Sequence, residues 1–241
     1  MDTDNGFSII MPVYNEEEVL ESSVKKVIEE AGRLSFGIEL IIVDDKSLDS
    51  SGIIADRLST GFGNVRAVHH DFNQGAGAAF MTGINNSRYD WVILCPADNP
   101  FKSSEIERFF LRGHNPGADI VIGYRVGRPG YKAWVAFASR VYNWMVRSMF
   151  KINLRDFNWI HMYNKRVFKN IKVNSTGIIF FAELLIKASR SGYRIVEIES
   201  DMAIRVSGVS TVSRPSVIIK TFFDLIKLWS DLRYVWDLRK G

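Results

Sequence analysis

The chain has 241 residues, of which 46% are hydrophobic and 24% charged, a composition that is ordinary for a globular protein and sufficient for one large α/β domain. Its formal net charge of +4 is mildly basic and favours anionic partners such as phosphates or a lipid surface, and we expect no nucleic-acid partner. The single cysteine, Cys95, excludes an intramolecular disulfide, and neither a secretory signal nor an apolar run of roughly 18 residues is recognisable.

In the first hundred residues, short apolar runs alternate with segments of helical periodicity. Asn15 is predicted to cap the first helix, with Glu18 as the reciprocal arm of a capping box. Another helix should follow the glycine-containing segment Asn73–Gly83. Strands alternating with helices predict a mostly parallel sheet that is covered on both faces. The predicted strands are Phe7–Val13, Ile38–Val43, Val65–Val68 and Trp91–Cys95, with a helix at Ser50–Leu58.

The second half of the chain is less regular. Its predicted elements are a helix that starts near Ser103, a strand at Ile120–Gly123, an aromatic-rich helix at Ala133–Phe150, a helix at Phe180–Ser191 that carries Glu183, and a strand at Tyr193–Glu199.

Polar residues follow three of the predicted strands directly. They are Tyr14-Asn15-Glu16, Asp44-Asp45 and Asp98-Asn99. In an open parallel sheet, ligands bind at the edge formed by the carboxyl ends of the strands. We therefore expect a ligand site where these three segments meet.

Asp44 and Asp45 suit a ribose or the donor groups of a base edge. The alternative is a cluster that starts a helix, because Ser47 and Asp49 also suit an N-cap. The nearby segment 73–77 lacks the dinucleotide-binding glycine fingerprint and follows the third strand, so its glycines more plausibly serve packing.

Asp98 is a candidate ligand for a hard divalent cation, Mg²⁺ or Mn²⁺, that bridges diphosphate oxygens. The alternative is a turn that precedes the helix near Ser103. Neither Pro96 nor Pro100 supplies a side-chain oxygen, so Asn99 is the remaining candidate ligand and metal dependence stays open.

Other candidate residues lie in glycine-bearing loops. Arg125, Arg205 and Ser210 suit phosphate oxygens, although an isolated loop arginine is usually only solvated. His69-His70 and His161 lack the spacing of metal ligands.

The C-terminal segment, residues 215–241, places Lys220, Asp224, Lys227 and Asp231 among apolar residues at near-helical spacing. This amphipathic pattern, with Trp229, Tyr234 and Trp236, favours a helix on a membrane surface. A helix packed on the domain or on a second subunit is the alternative, and the oligomeric state stays open. We expect a cytoplasmic protein that is peripheral on the cytoplasmic membrane face.

With these motifs in order, the chain resembles the family 2 glycosyltransferases, most of all the branch that includes dolichyl-phosphate mannosyltransferase and bacterial polyprenyl-phosphate glycosyltransferases. The resemblance extends from Ile9 to about Ser213. It rests on the motifs at residues 11–16, 42–47, 73–79, 97–98, 121–125 and on Glu183 through Glu197. Three departures are Pro96 at the usual first aspartate, Pro100 at a common glutamine ligand, and a segment 156–162 that keeps Asp156 but not the Gly-Phe-Arg that often follows it.

This resemblance implies a GT-A fold, a Rossmann-like three-layer sandwich over residues 1–214, with a nucleotide half over about 1–100 and an acceptor half over about 101–214. By the same likeness, Pro12, Tyr14 and Glu16 pack around the base, Asp44 and Asp45 bind the nucleoside, and Ala97 and Asp98 meet the metal and diphosphate. Arg125 would contact an acceptor phosphate, and Arg205 and Ser210 would close over the donor phosphates.

The expected reaction is inverting transfer of a hexose from a UDP- or GDP-sugar to a polyprenyl phosphate. A phosphate acceptor is already anionic at neutral pH and needs no strong base, whereas a sugar hydroxyl does. Asp98, Arg205 and Glu183 are the predicted catalytic residues, and Glu183 is either a base or a fixed support. The alternatives are a family 2 transferase acting on a saccharide hydroxyl and a nucleotide-sugar-binding homologue with impaired catalysis.

Overall fold

The computed structural model describes residues 5–98, 103–114, 117–126, 133–175, 177, 179–200 and 215–237, with side chains undescribed at 103, 215 and 233–237. The strands are β1 (Gly6–Val13), β2 (Gly37–Asp44), β3 (Val65–His69), β4 (Trp91–Leu94), β5 (Ile120–Arg125), β6 (His161–Asn164) and β7 (Ile195–Ser200). The helices are α1 (Leu20–Ala31), α2 (Ser51–Gly61), α3 (Ala76–Asn86), α4 (Ser103–His114), α5 (Ala133–Phe150), α6 (Arg166–Asn170), α7 (Ile179–Arg190) and α8 (Pro215–Asp237).

In the described part of the chain, seven strands form one sheet in the order β3-β2-β1-β4-β6-β5-β7. Only β6 runs antiparallel to its neighbours β4 and β5, and the other pairings are parallel. The carboxyl ends of β1, β2, β3, β4 and β5 therefore meet at one edge. The predicted mostly parallel sheet is confirmed.

Helices cover both faces of this sheet, because alternate residues of the central strands point to opposite sides. In β1, Phe7, Ile9 and Met11 join one apolar cluster with α1, α2 and α4. Ile10 joins the other cluster, which contains residues of α3, α5, α7 and α8. The result is the expected three-layer α/β sandwich. The division into nucleotide and acceptor halves stays a prediction.

The first helix begins later than the capping box predicts. It starts at Leu20, and Val19 precedes it without a side-chain cap. Asn15 instead has a positive φ of 57° and bonds across to the loop that follows β2. The prediction that Asn15 caps α1 is therefore wrong, because its side chain finds a partner outside its own segment.

The C-terminal segment forms α8, which packs on the domain through Leu225, Leu228 and Leu232. None of the helices among the described residues is both long and apolar enough to cross a bilayer. Of the expected segment 215–241, residues 238–241 and the side chains of Tyr234 and Trp236 lie outside the described part.

Candidate active site at the carboxyl edge of the sheet

Two loops at this edge, after β1 and after β2, are joined by reciprocal hydrogen bonds. The amide of Asn15 donates to Ser47 Oγ at 3.0 Å, and the amide of Leu48 donates to Asn15 Oδ1 at 2.7 Å. Three further bonds connect the amide of Glu16 with Ser51 Oγ, that of Glu17 with Asp49 Oδ2, and that of Ser50 with Glu17 Oε2. We call these two loops, residues 14–17 and 47–51, the loop clasp.

The residues expected around the base lie on or beside the loop clasp. Pro12, near the end of β1, and Glu16 are half-buried, whereas Tyr14 is 43% exposed. An exposed aromatic ring at a ligand edge offers a face on which a base can stack. Their role in base binding stays a prediction.

Asp45 is buried and organises the loop that precedes α3. Its Oδ1 accepts from His70 Nδ1 at 2.7 Å and from the amide of Gln74 at 2.8 Å, and its Oδ2 accepts from the amide of Gly75 at 2.7 Å. Residue 75 must be a glycine, because its φ of 90° is a backbone conformation that residues with a side chain rarely adopt. A carboxylate has about four acceptor positions, so three are used inside the described protein and about one remains for a ligand.

Asp44 makes a second, separate set of bonds. Its Oδ1 accepts from the amide of Ser47 at 3.0 Å, and its Oδ2 lies 3.1 Å from His69 Nδ1. His69 Nε2 lies 2.9 Å from Asp56 Oδ1, so both ring nitrogens face a carboxylate. Partial burial lowers the pKa of His69, but its bonds to Asp56 and Asp44 and their charges raise it more, and the net pKa lies above 6.5.

The pair of adjacent aspartates is therefore built into the fold on both sides. The roles proposed for Asp44 and Asp45 in nucleoside binding stay predictions. The sequence places His69 and His70 at a strand end, but we set the pair aside there because it lacks the spacing of metal ligands. Their position directly at the end of β3, next to β2, was the signal that could have linked them to the two aspartates.

The segment after β4 brings Asp98 to the same edge. Ala97 is buried, and its carbonyl accepts a hydrogen bond from Ser23 Oγ of α1, which fixes the turn. Asp98 is half-buried, and Pro96 beside it is exposed. Asn99, the other predicted metal ligand, lies outside the described residues.

The described residues contain no group of three or more His, Cys, Asp or Glu side chains that could hold a metal ion. Asp98 by itself does not make a site for a cation that is held by protein alone. It does fit a cation that takes most of its oxygen ligands from a bound diphosphate.

Arg125 ends β5 and is almost fully buried, unlike the solvated arginine that its loop position suggests. Its Nε and one terminal nitrogen donate to Asp156 at 2.6 and 2.9 Å, and the two side chains are 4% and 2% exposed. The guanidinium also lies 5.1 Å from the centre of the Trp159 ring. Asp156 thus orients Arg125, a role that sequence reasoning did not assign to it.

Buried polar groups surround this ion pair. Asn143 of α5 donates to Asp156 at 3.4 Å, and the amide of Asn158 donates to it at 3.3 Å. Burial lowers the pKa of His161 to about 4, with the charge of Asp156 opposing and that of Arg125 assisting this change. His161 is therefore neutral at physiological pH, and its Nδ1 lies 2.8 Å from the hydroxyl of Tyr163.

Glu183, in the second turn of α7, is only 1% exposed and accepts three hydrogen bonds. They come from the amides of Asn174 at 3.1 Å and Ser175 at 2.8 Å and from Lys187 Nζ at 2.5 Å. Burial raises the pKa of Glu183, but these bonds lower it more, so that its net pKa lies below 4.5. Such a carboxylate is a weak base, and its geometry favours the support role over the base role.

Arg205 and Ser210, predicted to close over the donor phosphates, lie outside the described residues. Asp44, Asp45, Asp98 and Arg125 therefore all lie at or just after the carboxyl ends of β2, β4 and β5, at one edge of the sheet. Glu183 supports the loop at residues 174–175.

A family model described as glycosyl transferase family 2 matches residues 8–181, more than half of the chain. The chain belongs to glycosyl transferase family 2. It is accordingly a glycosyltransferase, and the sequence-based resemblance to this family is confirmed.

Two curated relatives agree with the expected branch of this family. The chain is 27% identical over 221 residues to the polyprenol monophosphomannose synthase of Mycolicibacterium smegmatis, which covers 87% of this chain and 82% of that protein. It is 26% identical over 205 residues to glycosyltransferase AglD of Haloferax volcanii, which covers 80% of this chain. The chain spans about a third of AglD, 32% of its length.

Solved structures of family 2 enzymes confirm the GT-A fold. Glucosyl-3-phosphoglycerate synthase from Mycobacterium tuberculosis, in complex with Mn²⁺, UDP and glucosyl-3-phosphoglycerate, superposes with a TM-score of 0.73 at 17% identity, covering 94% of this chain and 80% of that one. The same enzyme in complex with Mg²⁺ and UDP gives a TM-score of 0.72 at 16% identity. At these identities the likeness concerns the fold alone.

Proposed function

We propose that this glycosyltransferase moves a hexose, with inversion, from a nucleotide diphosphate sugar to a polyprenyl phosphate at the cytoplasmic face of a membrane. The observation that carries the proposal is that Asp45, Asp98 and Arg125, whose side chain is buried, all lie at the carboxyl edge of the sheet. The likeness to a polyprenol monophosphomannose synthase supports the choice of acceptor.

Arg125 suits a phosphate acceptor because its guanidinium is already fixed. The bidentate bond to Asp156 and the ring of Trp159 hold its plane in one orientation before any substrate arrives. A preoriented cation positions an anionic nucleophile for attack on the anomeric carbon, which supplies much of the catalysis in such a reaction. The acceptor phosphate oxygen forms the new bond, and the nucleotide diphosphate leaves with the electron pair.

The donor half of the proposal rests on the loop clasp and on Asp45. Tyr14 and Pro12 would contact the base of a UDP- or GDP-sugar, and Asp45 would use its remaining acceptor position for a nucleoside donor group. Asp98, with Asn99 and the diphosphate oxygens, would hold Mg²⁺ or Mn²⁺, which supplies positive charge to the departing diphosphate. Arg205 and Ser210 would close over these phosphates.

The donor and the metal are tested in one assay series. Thermal shift with UDP- and GDP-sugars, each with and without Mn²⁺, should raise the melting temperature with one base only, because a ligand that binds only the native state stabilises it. Asp98→Asn should raise the Mn²⁺ concentration that gives half of the maximal transfer rate. Equal rates for both proteins in EDTA and in Mn²⁺ would contradict the metal role.

The acceptor is tested by transfer to polyprenyl phosphates of several lengths. Glu183→Gln should leave the turnover at saturating donor within a small factor, because a phosphate acceptor needs no base. Loss of transfer with intact donor binding would contradict the phosphate acceptor.

A saccharide hydroxyl is the second candidate acceptor, and it would need a general base, for which Glu197 of β7 is a candidate; its Oε1 accepts from the amide of Arg155 at 2.6 Å. Burial raises the pKa of Glu197 above 4.5 and the charge of Asp156 raises it further, although Arg155 opposes this. A carboxyl group with a raised pKa is suited to general-base catalysis. If Glu197→Gln abolished transfer and a saccharide replaced the lipid phosphate as acceptor, this second function would be correct.

A further inference from the structure

Helix α5 leaves three large apolar side chains in solvent on one face. Trp134, Phe137 and Trp144 are 43%, 66% and 60% exposed. At 100° per residue they share one side of the helix, opposite Val146 and Phe150, which are buried in the core. Two tryptophans and a phenylalanine on one outward face form an apolar patch that is unusual for a surface exposed only to water.

Helix α8 packs beside α5 and continues this patch. The ring of Phe222 lies 6.5 Å from that of Tyr142, and Trp229 Nε1 donates to the carbonyl of Met149 at 3.1 Å. The second contact lies seven residues after the first on both helices, so the two helices run in the same direction.

The outward stripe of α8 is apolar as well. Ile219, Phe223 and Ile226 are 56%, 67% and 50% exposed and follow the spacing of one helix face. The charged residues of α8 lie on another side, where they line a groove of about 860 Å³ against α7; they are Lys220, Asp224, Lys227 and Asp231. The charges are thus segregated from the outward stripe, as in helices that lie in a membrane interface.

The charge of α5 identifies the occupant of this surface. Its 18 residues include no aspartate or glutamate, and its two arginines, Arg140 and Arg147, are both exposed. Aromatic side chains with neighbouring arginines match the boundary between acyl chains and anionic head groups, where tryptophan is enriched. A protein partner would not require this absence of acidic residues.

We propose that the outward faces of α5 and α8 together form a docking surface for an anionic lipid bilayer, here called the two-helix surface. This inference extends the proposed function, because a polyprenyl phosphate is supplied from a membrane. The inward face of α5 connects the surface to the site: Asn143 donates to Asp156, which orients Arg125. The same helix thus contacts the bilayer on one side and supports the acceptor-phosphate residue on the other.

The test uses the full chain and vesicles that contain no polyprenyl phosphate. Vesicles of phosphatidylcholine, with and without about 30 mol% phosphatidylglycerol, are sedimented with three proteins. These are the wild type, the α5 variant Phe137→Ser/Trp144→Ser and the control Ile53→Ser/Leu111→Ser. The control residues are 75% and 49% exposed and lie on α2 and α4. The wild type and the control should bind the anionic vesicles. The α5 variant should partition at least about tenfold more weakly, because each aromatic loses its burial.

A second variant, Ile219→Ser/Phe223→Ser, tests the contribution of α8 and should also weaken binding. Equal binding by the α5 variant and the wild type would overturn the two-helix surface, and so would a loss seen only with the α8 variant. If the wild type is a dimer by light scattering and Phe137→Ser/Trp144→Ser makes it a monomer, the occupant is a second copy and the proposal fails. All these changes are at exposed positions, and unchanged melting temperatures verify the fold.

Transfer to a short, detergent-soluble polyprenyl phosphate separates this inference from the proposed function. If that acceptor is glycosylated but no vesicle is bound, the docking surface is wrong and the reaction stands. If vesicles are bound but no lipid phosphate is glycosylated, the docking surface stands and the acceptor is wrong.

Discussion

Replacing Asp156 with Asn should lower the free energy of unfolding by about 3–5 kcal/mol, because it leaves the buried guanidinium of Arg125 without a counter-charge. The side chains of the pair are 4% and 2% exposed, so water cannot take over the two hydrogen bonds of 2.6 and 2.9 Å. Asn143 and the amide of Asn158 also lose a charged acceptor. Urea denaturation, followed by circular dichroism, measures the change.

A double-mutant cycle isolates the pair itself. Arg125→Met combined with Asp156→Asn removes both charges, and the combined loss should be smaller than the sum of the single losses by about 2–3 kcal/mol. The exposed pair Lys220–Asp224, with side chains 74% and 33% exposed, is the matched control, and its coupling should be about 0–1 kcal/mol.

Additive losses at Arg125 and Asp156, or an equal coupling in the control, would refute this reasoning. The double variant should also remain unable to use a lipid phosphate although it is folded. Recovery of both stability and transfer would show that Arg125 serves the fold alone.

Three other predictions concern the nucleotide side of the edge. Asp45→Asn should destabilise the protein by about 2–3 kcal/mol and speed amide exchange in the loop before α3, because an amide replaces a charged acceptor of several buried bonds. In urea titrations from pH 5 to 9, the stability of the wild type relative to His69→Gln should fall as pH rises through the raised pKa of His69. The stabilisation by the protonated ring is complete only below about pH 6.5, the pKa of an unperturbed histidine, because there the ring is protonated in both the folded and the unfolded state. Gly77→Ala should lower the free energy of unfolding by about 1–3 kcal/mol, because the new Cβ would lie 2.6 Å from a ring carbon of Phe180. The control Gly61→Ala, whose Cβ would meet nothing within 4 Å, should raise it by about 0.4–1 kcal/mol.

Each of these has a contrary result. Full stability and normal amide exchange of the Asp45 variant would contradict the structural role of Asp45, whether or not donor affinity were lost. Parallel pH profiles of the wild type and His69→Gln would show that Asp44 and Asp56 do not raise the pKa of His69. Equal effects of the two glycine changes would mean that α3 and α7 separate freely.

Most strands and helices of the sandwich, and the edge at which polar residues follow the strands, could be predicted, because they depend on periodicity and on polar residues at strand ends. Strand β6 was not predicted: His161–Asn164 is four residues long and mixes polar with apolar side chains, and only its position between β4 and β5 makes it a strand. Local patterns do not encode such pairing between segments that are far apart in sequence.

The partners of the site residues were equally hidden. The local spacing around Asn15 predicted a helix cap. Instead, Asn15 forms hydrogen bonds with Ser47 and Leu48, which lie 32 and 33 residues away in sequence. Arg125 looked like a solvated loop arginine until Asp156 was placed against it, 31 residues later. Residue type and spacing can nominate a charged group, but its burial and counter-charge are decided by tertiary packing.

The loop clasp has a consequence for how the enzyme meets its donor. Its bonds link two segments that are 32 to 35 residues apart in sequence, so the loops after β1 and β2 constrain each other. If a base stacks on Tyr14 as proposed, little conformational entropy is lost on that side, because the two loops are already ordered by their own hydrogen bonds.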